Sequence, residues 1–317
     1  MSSQGSQGGG KIKVSVQKAG PLDTGEIAQT MKTIKTKFAI MSGKGGVGKS
    51  FVTASLALGF AMRGYRVGVL DADVYGPTVP KLLGLVGANL YLSEDEKIIP
   101  AEGPFGIKVV SMDFLLPTED TAVIWRGPLV DKAIKDFLGS VLWGDLDALF
   151  IDLPPGTGDA PLTIAQTLAN EMTGSIIVTA PSDVSKRIVQ KAIDFSRKVK
   201  TPIVGIIENM CCFYCPESGK TYYVFGRLIG KEMADKYGVP YLGMVPLDPR
   251  IGESNDLGEP FLMKYSTSDT ARAIFSIVDT VIAMYKDKLE AKTETPTKKQ
   301  IKSLLKLPGE EEGEGES

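Results

Sequence analysis

The stretch Gly43-Lys44-Gly45-Gly46-Val47-Gly48-Lys49-Ser50 fits G-x-x-x-x-G-K-S, a spacing of residue types suited to gripping a triphosphate. Its glycines admit backbone conformations closed to other residues, so successive amide N–H groups can converge on phosphate at the positive end of the following helix. Lys49 is then expected to reach the β- and γ-phosphates, and the Ser50 hydroxyl to ligate Mg²⁺. Gly43, Gly45 and Gly48 also spell G-x-G-x-x-G, with Asp71 and Asp73 near the distance where a dinucleotide site wants its ribose-binding acid. The Lys49-Ser50 pair decides for the phosphate loop, because a pyrophosphate cradle needs neither an ammonium nor a metal-binding hydroxyl there. A purely structural glycine turn would leave that pair unexplained.

A triphosphatase also needs an acid to organise magnesium and a group to orient the attacking water. Asp152, which ends the apolar run 148–151, is read as the magnesium acid, acting through a water shell. Asp73 is read as the water-positioning acid and Asp71 as structural or metal-associated; either also suits a cap for the helix near Pro77. Pro154-Pro155-Gly156-Thr157-Gly158-Asp159 reads as a switch loop in which Gly156 lets the backbone approach the γ-phosphate, although a rigid strand-to-helix turn favours the same Pro and Gly. The chain's three cysteines, Cys211, Cys212 and Cys215, fall within five residues, which suits a cytosolic metal or redox site better than a disulfide framework.

Composition narrows the chemistry further. There is no histidine among the 317 residues, which removes Ser-His-Asp and Cys-His catalysis and every His-based zinc site. A net charge of -2 and a pI near 5.5 give no general basic field, so nucleic acid is not an expected partner. The sequence shows neither an apolar run of bilayer length nor a signal-peptide core, so the expectation is a cytoplasmic protein without stable membrane association.

These groups need a scaffold that brings strand ends together. An apolar run at 37–41 precedes the loop as a buried strand, and Val52, Leu56, Ala57, Phe60 and Ala61 recur at helical spacing after it, closed by Gly64. Strands are expected at 67–70, 148–151, 175–180, 203–207 and 241–245. Helices are expected at 78–85, 128–142, 161–169, 182–198, 227–236 and 268–288, and 25–35 reads as a short helix. That alternation predicts an α/β fold with a doubly wound, mostly parallel sheet, a small β-excursion at 89–111, and a long excursion at 208–225 carrying every cysteine. Residues 1–10 read as a disordered lead-in, 11–290 as one ATPase domain and 291–317 as a flexible charged tail. Within the tail, 298–307 could form a short basic amphipathic helix or remain a solvated segment with a few leucines.

Lys44, an extra lysine inside the loop, marks a resemblance to the deviant Walker A group that includes MinD, ParA, nitrogenase iron protein and ArsA. Within that group the chain resembles the Mrp/ApbC-type iron-sulfur cluster carrier ATPases through five blocks: 44–50, 71–77, Trp125-Arg126-Gly127-Pro128, 152–159 and Glu208-Asn209-Met210. The resemblance implies an ATP-dependent homodimer that passes clusters to apoproteins, with hydrolysis coupled to dimerisation and transfer. It implies that Gly43, Lys44, Gly45, Gly46, Val47, Gly48, Lys49 and Ser50 bind nucleotide, that Lys44 reaches the partner's nucleotide, and that Asn209 contacts adenine. It also implies a cluster, of 4Fe-4S type, held between paired cysteines of two subunits. The alternative within the group is a MinD/ParA-like spatial organiser working at a membrane surface or on DNA. Residues 125–128 suit a packing corner or a dimer contact.

The cysteines depart from the family pattern. Members carry C-P-x-C after Glu-Asn-Met, whereas alignment on Cys215-Pro216 puts Ser218 at the second position. Upstream, Cys212-Phe213-Tyr214-Cys215 is a C-x-x-C that can place two thiolates on a cluster, two subunits supplying four. Buried Cys211 and Cys212 with no cluster, or Cys215 completed by Ser218 or a foreign ligand, are the competing arrangements. Gly219, Tyr222, Tyr223 and Phe225 nearby suit a compact metal-closed loop and a dimer contact alike.

Overall fold

The computed structural model describes residues 24–74, 76–115, 127–169 and 171–291. The lead-in, the tail with its 298–307 segment, and Tyr75, Trp125 and Arg126 of the family blocks lie outside them. In chain order the elements are α1 (Thr24–Lys32), β1 (Ile34–Met41), α2 (Lys49–Ala61), β2 (Val67–Asp71), α3 (Val79–Leu82), β3 (Tyr91–Leu92), β4 (Ile98–Ile99), β5 (Ala101–Glu102) and β6 (Lys108–Ser111). There follow α4 (Gly127–Gly139), β7 (Leu146–Asp152), α5 (Asp159–Thr167), β8 (Gly174–Thr179), α6 (Asp183–Lys198), β9 (Ile203–Tyr214) and β10 (Thr221–Tyr222). The last are α7 (Gly230–Tyr237), β11 (Tyr241–Leu247), α8 (Pro249–Leu257), α9 (Phe261–Lys264), α10 (Asp269–Met284) and α11 (Lys286–Glu290).

The main sheet runs β10-β9-β8-β1-β7-β2-β6-β5, with β11 on β9; β5 and β10 pair antiparallel and the remaining pairs are parallel. Strand order reverses on either side of β1, so the crevice at its C-terminal end is where a ligand belongs. Parallel central strands are covered on both faces, which is why β7 and β8 are buried throughout. Phe38 of β1 stacks on Phe150 of β7 at 5.4 Å, and Phe60 of α2 packs edge-on to Phe150 at 5.1 Å. That aromatic contact seats α2 on the sheet and fixes where its N-terminus opens. Gly59 lets α10 press on the other side of α2: a Cβ there would fall 2.6 Å from Val278 Cγ2.

Three expectations are corrected. Of the β-excursion, only the β3–β4 hairpin stands apart; β5 and β6 extend the main sheet, because Val109 and Val110 are fully buried where β6 runs beside β2. The cysteine excursion does not begin at Glu208, since β9 continues to Tyr214 alongside β11 and turns back only through β10. Residues 249–264, unassigned from the sequence, form α8 and α9, and the final helix breaks at Tyr285 between α10 and α11.

Candidate functional site

The loop leaves β1 and enters α2 through Gly46 and Gly48, both at φ 77°, a left-handed conformation that favours glycine. Lys49, at the first position of α2, is buried, and its ammonium lies 2.7 Å from Asp152 Oδ2 and 3.6 Å from Asp73 Oδ2. Ser50 Oγ donates to Asp152 Oδ2 at 2.6 Å, and Thr53 Oγ1 donates to Asp152 Oδ1 at 2.6 Å. Asp152 is fully buried at the end of β7, and both of its carboxylate oxygens are bonded by the start of α2. Hard hydroxyl and carboxylate oxygens this close are the donor set that Mg²⁺ takes, so Ser50 and Asp152 fit the ion.

The register pairs Asp71 with Asp152 across β2 and β7, which sets two carboxylates side by side. Burial, and then the Asp152 charge, push Asp71 up to about 8. Asp71 accepts from the backbone N–H of Asp73 (3.2 Å) and of Val79 (3.2 Å) and from Ser111 Oγ (3.1 Å). Of the two acids at the end of β2 and just beyond it, Asp71 is therefore the one that ties down the start of α3, and Asp73 the one that faces Lys49.

The structure gathers Lys49, Ser50, Asp73 and Asp152 at one point, under an open cleft of about 420 Å³. Gly45, Gly46, Val47 and Gly48 line it on one side and Thr78, Lys81, Asn255 and Asp256 on the other. Pro155 also lines it, and Gly156, at φ 92°, donates its N–H to Ser42 O at 2.9 Å, which pins the 154–159 loop to the stalk of the phosphate loop. Gly43 sits where α6 crosses: a Cβ would fall 2.6 Å from Ile188 O. Lys44 is exposed and pairs with no carboxylate among the described residues. Asn209 is buried beneath the loop, its Nδ2 donating to Val47 O at 2.9 Å.

Sequence reasoning missed Thr53, Lys81, Asn255 and Asp256. Thr53 lies one helical turn beyond Lys49, a spacing that puts both on one face. Asp248-Pro249 followed by Gly258 is a start and stop signal for α8, which carries Asn255 and Asp256; Asp248 caps that helix by accepting from Arg250 N at 3.1 Å.

Cys211 and Cys212 are buried within β9, their Sγ atoms 3.1 Å apart. Cys215 lies past the strand in a tight turn, where its N–H donates to Lys220 O at 3.0 Å and its carbonyl accepts from Gly219 N at 2.9 Å. Burial pushes the Cys211 thiol up, whereas hydrogen bonds from the Ser218 hydroxyl and from the Ser218 and Glu217 amides pull the half-exposed Cys215 thiol down. Cys215 is thus the one of the three thiols that is open to solvent, and Cys211 is enclosed. Tyr222, Tyr223, Val224 and Phe225 stand exposed beside it.

Residues 33–282 match the family described as "ParA: NUBPL iron-transfer P-loop NTPase". The chain belongs to that family. Two relatives share the description "Iron-sulfur cluster carrier protein". The one from Saccharolobus solfataricus is 54% identical over 81% of this chain and 86% of its own, and the one from Aquifex aeolicus is 46% identical over 81% and 70%. Among solved structures, an Archaeoglobus fulgidus nucleotide-binding protein in complex with ADP superposes with TM-score 0.69 at 40% identity, over 78% of this chain and 96% of that one. MinD from Aquifex aeolicus superposes with TM-score 0.57 at 19% identity, over 78% and 97%, a likeness of fold. In this NUBPL-family NTPase the phosphate loop, the buried lysine and the acid at the end of β7 are the parts that a P-loop enzyme needs.

Proposed function

We propose that this chain is an ATP-hydrolysing iron-sulfur cluster carrier that works as a homodimer and hands its cluster to apoproteins. The observation that carries the reading is that one strand, β9, lies against the phosphate loop at Asn209, carries Cys211 and Cys212, and leads directly into Cys215 one residue past its end. The 54% identical carrier from Saccharolobus solfataricus supports it.

Lys49 lies between Asp152 and Asp73 and exchanges these partners for phosphate oxygens when nucleotide enters. Ser50 and Asp152 would hold Mg²⁺, which would supply neutralisation of the phosphate charge. Asp73, beside Lys49 in the cleft, orients the attacking water. Lys44, exposed on the rim, acts on the nucleotide of the second copy, as an arginine finger does elsewhere. Asn209 contacts adenine from below the loop. Cys215 is the accessible cluster ligand and Cys212 its partner, so that two copies enclose one 4Fe-4S cluster as cargo.

Anaerobic reconstitution of the full chain with iron and sulfide tests the proposal. A visible charge-transfer spectrum, iron and sulfide in a ratio set by one cluster per dimer, and transfer to an apo-ferredoxin are expected. A colourless, metal-free product overturns it and returns the weight to a spatial organiser.

A further inference from the structure

Asn209 and Met210 are neighbours in β9, and a regular strand would send their side chains to opposite faces. Instead both reach the phosphate loop: a Cβ built on Gly48 would fall 2.2 Å from Asn209 Nδ2 and 3.5 Å from the Met210 methyl carbon. The backbone gives the reason. Met210 holds φ 56°, in the left-handed region that a side chain disfavours. The pairing with β11 slips at the same place, for Asn209 faces Val245 and Phe213 faces Leu247, so four steps along β9 match two along β11. Met210, Cys211 and Cys212 thus lie opposite Pro246 alone, a bulge with two surplus residues. It also explains how adjacent cysteines bring their sulfurs to 3.1 Å, where regular alternation would part them.

The bulge lies where β9 loses support. Its ladder with β8 ends at the Thr179–Glu208 pair, so from Asn209 onward the strand is held by β11, by the short β10 and by the phosphate loop itself. A non-glycine residue stays left-handed only when its surroundings enforce it. Here those surroundings include Gly48, whose backbone must turn its amides toward an anion whenever phosphate binds.

We propose that this bulge couples the phosphate loop to the thiols. Met210, lodged against Gly48, is a positioning residue: nucleotide at the loop shifts the bulge and so changes the exposure and reactivity of Cys215, five residues on. The proposal rests on the carrier reading for its purpose, which is to make grip on the cargo depend on nucleotide, but the physical link needs no cluster.

Maleimide labelling of the reduced, cluster-free full chain, with the labelled residue located by peptide mass spectrometry, tests the link. Saturating ADP or ATP is expected to change the Cys215 labelling rate by about fivefold or more in the parent, the size of coupling found between linked sites. Met210→Gly accepts the left-handed backbone without strain but loses the methyl contact with Gly48. It should bind nucleotide as the parent does, while its Cys215 response shrinks to about twofold or less, a residue of the coupling too small to act as a switch. Met210→Leu should restore the response. A full response in Met210→Gly, or a parent whose Cys215 rate ignores both nucleotides, overturns the proposal. Should Met210→Gly fail to fold, amide exchange in the parent decides: nucleotide must alter residues 209–215 and leave 203–207 unchanged, and identical exchange in 209–215 is a refutation. A cluster that loads normally while labelling ignores nucleotide sinks the coupling alone; a nucleotide response in a chain that takes up no iron sinks the carrier reading alone.

Discussion

Lys49 is the residue on which the nucleotide site balances, one buried ammonium against the carboxylates of Asp152 at 2.7 Å and Asp73 at 3.6 Å. Lys49→Ala should weaken nucleotide binding by about a hundredfold, the loss expected for a charged hydrogen bond to phosphate. Asp73→Asn should bind normally but hydrolyse about 10²-fold or more slowly if Asp73 positions the water. Calorimetry and phosphate release on the two variants separate the roles, and equal losses of binding would contradict them. Asp71 makes a different prediction. Its folded-state value near 8 lies above the ordinary 3.8, so the folded chain keeps a proton that the unfolded chain releases. Its contribution to stability is complete below the unfolded value and is lost as pH rises toward 8, with a slope of up to about 1.4 kcal/mol per pH unit. Asp71→Asn, which mimics the neutral form, should flatten that decline; urea unfolding of nucleotide-free protein across the window checks it, and parallel curves for parent and variant would count against the assignment. At this scale much was legible in the sequence. Lys49 and Ser50 announce themselves by local spacing and Asp152 by ending an apolar run. Asp71 reads as structural or metal-associated and Asp73 as the water-positioning acid; what the sequence does not show is that Ser111 and Val79, arriving from other elements, are the groups that hold Asp71.

Helices and strands were legible wherever hydrophobic period alone decides, as in β7, β8 and α6, and were missed where tertiary contacts do. α8 has a weakly apolar sequence and is held by its caps and by packing over α3, so periodicity gave no sign of Asn255 and Asp256 above the loop. The left-handed Met210 leaves no trace in residue type, and without the bulge β9 reads as ending at Ile207. Capping is the more tractable quantity at this level. Ser268 Oγ accepts from Ala271 N at 3.1 Å at the head of α10, the helix that covers β11 and α2. Ser268→Ala should cost about 1 kcal/mol, the usual worth of an N-cap, and leave nucleotide affinity unchanged. A denaturant midpoint identical to the parent's would show that cap to be idle.

For the molecule as a whole, the sheet order places the phosphate loop of β1 and the thiol end of β9 on one edge, with only β8 between them. The phosphate loop and the thiol end of β9 therefore open on one edge of the sheet, and a second copy approaching that edge would meet both Lys44 and Cys215. The chain carries one half-exposed thiol, pulled down from its ordinary value by the Ser218 hydroxyl and the Ser218 and Glu217 amides, and two buried ones. Cys212 lies on the bulge, where a small backbone shift changes its direction, while Cys211 is fully enclosed with its thiol pushed up by burial. Single serine substitutions followed by anaerobic reconstitution and iron counting should sort them. Cys215→Ser is expected to lose the cluster, because it removes the ligand that faces outward. Cys212→Ser is expected to lose it as well, because the two-copy site then keeps one thiolate per chain instead of a pair. Cys211→Ser should load iron as the parent does and show its effect in stability, costing about 1–3 kcal/mol for placing a hydroxyl where an apolar thiol was buried. A full cluster in Cys212→Ser would reject the C-x-x-C pair and leave Cys215 with Ser218, already hydrogen-bonded to it, as the donor set in each copy.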